Sequence, residues 1–109
     1  MKIILIRYEQ TTNSLFITTY EFVRTNKDML CEFPWFYVIL DEGHRIKNPQ
    51  TGISRAIKSL QTDHRVLMSG SPIQNNLVEL WSLFDFVYPG KLGSMQLFRQ
   101  SFGISITFL

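Results

Sequence analysis

Trp35-Phe36-Tyr37-Val38-Ile39-Leu40 runs directly into Asp41-Glu42-Gly43-His44, and that junction decides the fold. The run is apolar, rich in aromatic and branched residues, and too short for a helix. It is polar on neither face, so it reads as a strand buried on both sides, the kind found inside parallel sheets covered by helices. Two adjacent carboxylates leave that strand at its carboxyl end, where open α/β sheets bind their ligands.

Downstream, the polar segment Arg45 to Thr51 gives way to Ile53, Ala56, Ile57 and Leu60. Their i, i+3, i+4, i+7 spacing is one stripe of an amphipathic helix. Val66-Leu67-Met68 is the next short strand and stops at Ser69-Gly70-Ser71-Pro72. A second helix comes next, with Leu77, Leu80, Trp81, Phe84 and Tyr88 as its apolar stripe and Glu79, Ser82 and Asp85 largely off it. Trp81 and Phe84 therefore read as core, not as base-stacking platforms. Asn76 with Glu79 can cap this helix, and Pro89-Gly90 ends it.

Upstream, Ile3 to Tyr8 is a candidate strand and Leu15-Phe16-Ile17 a short apolar run. Thr18 followed by Glu21 is a capping-box pattern, which predicts a helix from there toward Leu30. The order is β-α-β-α-β-α. This predicts an α/β fold with a parallel sheet, Trp35 to Leu40 at its centre and helices on its faces.

With 109 residues, 45% hydrophobic and 18% charged, the chain is one small domain or a piece of a larger one. Nine Phe, four Tyr and two Trp make the second option pressing, because a truncated fold leaves such residues uncovered. A formal charge of +2 is too weak to announce nucleic acid unaided. The single cysteine, Cys31, excludes an internal disulfide framework and suits a reducing compartment. The apolar run before Arg7 is too short for a signal segment or a membrane span, so a soluble intracellular protein without membrane contact is expected.

Asp41 and Glu42, adjacent at a sheet edge, need a positive partner. Magnesium on nucleotide phosphates is a natural one, with one acid at the metal shell and its neighbour orienting or deprotonating the attacking water. Gly43 permits a tight turn that would bring His44 back toward the site. Asp-Glu-Gly alone also suits an ordinary acidic loop. Adjacent strand residues point to opposite faces, which disfavours a glycosidase pair. With His64 the only other histidine and no second cysteine, zinc is weaker still.

Ser69 to Asn76 places hydroxyls and amides after the next strand. They could link the acidic cluster to a neighbouring lobe or form a turn ending in an N-cap, and for Asn75 and Asn76 the two readings stand level. Arg45 and Lys47 could touch phosphate or solvate a loop; a short charge cluster favours the loop.

Three segments together, Phe16 to Glu21, Trp35 to Asn48 and Leu67 to Phe86, resemble motifs Ib, II and III of the Swi/Snf-type helicase-like ATPases of superfamily two. The resemblance runs from about Leu15 to Leu92. Gly43 in the DEGH form, Ser69-Gly70-Ser71-Pro72, and Leu80 to Gly93 look closest to the Cockayne syndrome group B subfamily. It implies a partial RecA-like lobe and, in the complete motor, ATP and Mg2+ as cofactors, double-stranded DNA or chromatin as partner, and a nuclear chromatin-remodelling or DNA-repair role. Position by position, it makes Asp41 the magnesium-associated acid and Glu42 the residue that activates water. His44, Ser69, Ser71 and Gln74 would couple nucleotide state to DNA and the second lobe, and Thr18 and Thr19 would lie near DNA phosphates.

The sequence departs from the family in one respect that matters. A P-loop needs a Gly followed five residues later by Gly-Lys-Ser or Gly-Lys-Thr. None of Gly43, Gly52, Gly70, Gly90, Gly93 and Gly103 meets that pattern. The 109 residues are thus expected to be one partial domain, the later part of a first ATPase lobe, with the P-loop and the second lobe absent from it. The alternative is a non-catalytic remnant that at most binds a partner.

Overall fold

In a computed structural model the described residues are 2–8, 13–70 and 76–98. Four strands form one sheet in the order β2-β1-β3-β4, with β1 Ile3–Tyr8, β2 Asn13–Thr18, β3 Trp35–Leu40 and β4 Thr62–Leu67. β3 is internal, as its sequence predicts. It pairs parallel with β4, Leu40 opposite Leu67, and the connection between them carries helix α3 (Gly52–Ser59).

The other half of the sheet corrects the all-parallel expectation. β1 runs antiparallel to both β2 and β3, so the sheet is mixed and parallel only at β3–β4. A short apolar strand pairs in either direction, and the few residues between Tyr8 and Asn13 allow a hairpin but no crossover.

Thr18 does not start the next helix. It is still in β2, and Thr19 is the cap, its hydroxyl accepting the Phe22 amide at 3.1 Å. The single helix expected toward Leu30 is two, α1 (Tyr20–Thr25) and α2 (Lys27–Cys31), broken at Asn26. In α3 the predicted stripe holds: Ala56, Ile57 and Leu60 are buried and Ile53 packs against them.

Helix α4 (Leu77–Val87) is capped by Asn76 as expected, with Oδ1 accepting from the amides of Val78 and Glu79. Its buried face is another matter. Ser82 and Phe86 are fully or nearly buried and Leu83 and Val87 pack on the core, while Phe84 is 46% and Tyr88 62% exposed. Trp81 is half-buried. Apolar residues surround this helix, so their pattern alone does not fix which side turns inward. A short helix α5 (Met95–Phe98) comes after it.

The core lies on one side of the sheet, where Ile3 and Leu5 of β1 and Val38 and Leu40 of β3 meet Tyr20, Val23, Leu30, Ile57 and Phe86 from the helices. On the opposite side, register aligns Ile17, Ile4, Ile39 and Val66 in one row across all four strands. Ile17 is 60% and Val66 38% exposed, and Ile4 and Ile39 are only half-buried. Among the described residues, then, β3 is covered on one face, not two. No helix of the described residues is long and apolar enough to cross a membrane.

Candidate functional site

Parallel pairing brings the carboxyl ends of β3 and β4 to the same edge. Past them the chain stays in register, the Met68 amide donating to the Leu40 carbonyl at 2.9 Å and the Gly43 amide to the Met68 carbonyl at 2.7 Å. Residues Gly43–Ile46 form a 3-10 turn. This turn carries the acidic cluster against the segment that begins at Ser69.

Four predicted site residues meet there. His44 Nδ1 lies 3.0 Å from Ser69 Oγ and 3.4 Å from Glu42 Oε2, so one ring nitrogen faces both the hydroxyl and the acid. Asp41 Oδ1 accepts the Glu42 amide at 3.1 Å. Glu42 itself has φ 52 and ψ 49, the only non-glycine residue with positive φ among those described. An L-residue pays about 1–2 kcal/mol for that region, and such outliers persist where the surroundings over-determine them, often at functional sites.

The tight turn therefore falls on Glu42, not on Gly43 as the sequence suggested. Gly43 is required for a different reason. A Cβ added there would sit 2.7 and 2.9 Å from the Leu67 methyls and closer still to Leu67 Cγ. Gly43→Ala is expected to destabilise the protein by about 1–3 kcal/mol, the usual scale for overpacking. An unchanged thermal midpoint would show that Leu67 moves aside freely.

Tyr20, which sequence reasoning missed, is fully buried and donates its hydroxyl to the Asp41 carbonyl at 2.6 Å. Burial pushes its pKa above the ordinary tyrosine range; Arg45 opposes this, and Asp41 and Glu42 add to it. It thus stays a donor at any physiological pH. Arg45 is not a loose loop cation: Nη2 donates to Glu21 at 2.7 Å, and the guanidinium lies 5.2 Å from the Tyr20 ring centre. That hydrogen bond holds the Glu21 carboxyl below its usual range. Lys47 reaches Glu79 at 3.9 Å.

Thr18 ends β2 and Thr19 caps α1. Both line a groove of about 630 Å³ whose other walls are largely apolar, among them Phe16, Phe22, Leu30 and Phe33. The Thr19 cap uses the hydroxyl oxygen as acceptor and leaves its proton to donate outward. Ser71 and Gln74 lie outside the described residues, as does Asn75.

A magnesium-nucleotide partner suits this donor set. Among the described residues no three His, Cys, Asp or Glu side chains cluster as a metal cage. Magnesium needs none, since it keeps several waters and takes one or two carboxylates plus substrate phosphates. Asp41 is partly exposed and its backbone is held from both sides, by Tyr20 at the carbonyl and by the Lys2 carbonyl at the amide, 3.0 Å away.

The family model of the SNF2-related domain matches residues 2–108. The chain is 48% identical over 103 residues to the human DNA excision repair protein ERCC-6, covering 94% of this chain and 7% of that protein. It is 50% identical over 101 residues to the DNA excision repair protein CSB of Oryza sativa subsp. japonica, covering 93% and 8%. Among solved structures, the Sulfolobus solfataricus SWI2/SNF2 ATPase core in complex with dsDNA superposes with a TM-score of 0.74 at 40% identity, over 84% of this chain and 19% of that one. The chain spans less than a tenth of the length of these two curated relatives. Its partly parallel sheet and these matches agree on one conclusion: the chain belongs to the SNF2 family and shares the RecA-like fold of part of a SWI2/SNF2 ATPase core.

Proposed function

We propose that the chain is part of the ATP-hydrolysing motor of a double-stranded DNA translocase of the DNA-repair and chromatin-remodelling type, acting in the nucleus. The observation that carries this reading is the contact of His44 with Ser69 at 3.0 Å beside Glu42. It joins the acidic turn to the strand end that leads toward Ser71 and Gln74, the remaining residues proposed to couple nucleotide state to movement on DNA.

Asp41 would hold magnesium through water, and the ion would supply charge neutralisation at the phosphates. Glu42 orients the attacking water and accepts its proton. His44 meets both the Glu42 carboxylate and the Ser69 hydroxyl through Nδ1 and so links the two. Thr18 and Thr19 offer hydroxyls at the lip of the groove, where DNA phosphates are contacted without reading sequence; the apolar floor of the groove suits no phosphate. The P-loop and the second lobe come from outside these 109 residues.

The full-length protein is expected to release phosphate from ATP faster with duplex DNA present, and Asp41→Ala should remove that stimulated rate. Equal rates with and without DNA, or a rate indifferent to Asp41→Ala, would overturn the proposal in favour of a non-catalytic remnant.

A further inference from the structure

The 3-10 turn behind the acidic pair is fastened at both ends. At its start, the Gly43 amide is held by the Met68 carbonyl. At its end, the Ile46 carbonyl accepts the Ser82 hydroxyl at 2.5 Å. Ser82 and Ile46 are both fully buried. The same hydroxyl accepts from Lys58 Nζ at 2.9 Å, so its proton is directed at Ile46 and its lone pair at the ammonium.

Lys58 comes from α3 and is itself held on three sides by α4. It lies 2.9 Å from Ser82, 3.7 Å from Asp85 and 4.9 Å from the Trp81 ring centre. Its side chain is 17% exposed. Burial lowers its pKa and Asp85 opposes that shift. One buried hydroxyl thus ties three elements together: α3 through Lys58, α4 through its own backbone, and the turn through Ile46.

We infer that Ser82, oriented by Lys58, is a positioning residue for ATP hydrolysis, fixing the turn whose start sets the pose of Glu42 and His44. This rests on the proposed roles of those two residues. Glu42 sits in a strained left-handed conformation that relaxes unless the turn after it is held. A hydroxyl is needed because the site demands a donor to the buried Ile46 carbonyl and an acceptor for the Lys58 ammonium at once. Removing it takes this donor from the buried carbonyl, while Lys58 keeps Asp85. An ordinary core position would not couple α3 and α4 to the catalytic turn in this way.

The test uses the full-length protein with saturating duplex DNA. Ser82→Ala is expected to lower kcat about tenfold, the equivalent of roughly 1.4 kcal/mol in the barrier, with KM for ATP within about twofold of wild type. Ser82→Thr, which keeps the hydroxyl, should recover most of the loss. Lys58→Met keeps the stem and removes the donor, and should lower kcat in the same direction by a smaller factor. Should Ser82→Ala fail to fold, Lys58→Met decides alone. A wild-type kcat in the folded variants overturns the inference, and so does a loss that appears only in KM. Glu42→Gln in the same assay separates the two levels. If it is inactive while Ser82→Ala and Lys58→Met turn over normally, only the positioning role fails; if it turns over normally, the reading of the acidic turn fails first.

Discussion

Glu42→Gln in the full-length protein should reduce ATP turnover on the order of 10²-fold or more, the usual scale for a positioned acid–base group, while Mg-ATP binding stays largely intact. Glutamine keeps the size of the side chain and its contact distance to His44 Nδ1, now 3.4 Å. It removes the charge proposed to accept the water proton. The backbone cost of the left-handed conformation is the same for both residues, so the protein should melt where the wild type does. Binding measured with a fluorescent nucleotide and turnover measured by phosphate release would separate the two effects. Hydrolysis within a few-fold of wild type would show that Glu42 does not activate water.

The second large effect is a null result. The 109 residues alone should release phosphate at the buffer background, with or without duplex DNA, and Asp41→Ala should change nothing. Phosphoryl transfer is catalysed by positioning and charge stabilisation, so an acidic turn is one part among several that must surround the phosphates. Without a P-loop lysine and its amide cradle, the triphosphate has no fixed place beside Glu42. An arginine finger alone is worth roughly 10³ to 10⁵ in rate in the nucleotide hydrolases that use one. DNA-stimulated release that vanishes in Asp41→Ala would mean these residues contain a phosphate site of their own.

The central strand, the helix after it and the cap of α4 were legible in the sequence because their signals are local. An unbroken apolar run fixes β3, a 3-4 spacing fixes α3, and a side-chain amide before a helix fixes Asn76 as a cap. The direction of β1 was not legible, since pairing is a long-range choice that Ile3–Tyr8 does not encode by itself. Thr18 and Thr19 are both good caps, and only the end of β2 decides between them. The inward face of α4 turned on Ser82, a polar residue that pattern reading sends to the surface. Its place in the core depends on Lys58 and the Ile46 carbonyl, 24 and 36 residues away in sequence.

Within the site, the pairing of His44 with Ser69 follows from the parallel register, which brings the ends of β3 and β4 to one edge. Tyr20 and Lys58 gave no signal because their partners are a backbone carbonyl and a buried hydroxyl. The strained residue was missed for a similar reason. Glycine is the expected carrier of positive φ, yet Gly43 is consumed by the close approach of Leu67, and the sharp bend falls one residue earlier.

The row Ile17, Ile4, Ile39 and Val66 gives these 109 residues a particular colloidal character. A formal charge of +2 provides little mutual repulsion between copies, and ordinary salt screens most of it within about 10 Å. The aliphatic row is indifferent to that screening. Strongly excluded salts such as sulfate strengthen its attraction for other apolar surfaces. Kept by themselves, the 109 residues should therefore lose solubility as salt rises and gain it from urea well below the concentration that unfolds them, a phase behaviour set by one side of a single sheet.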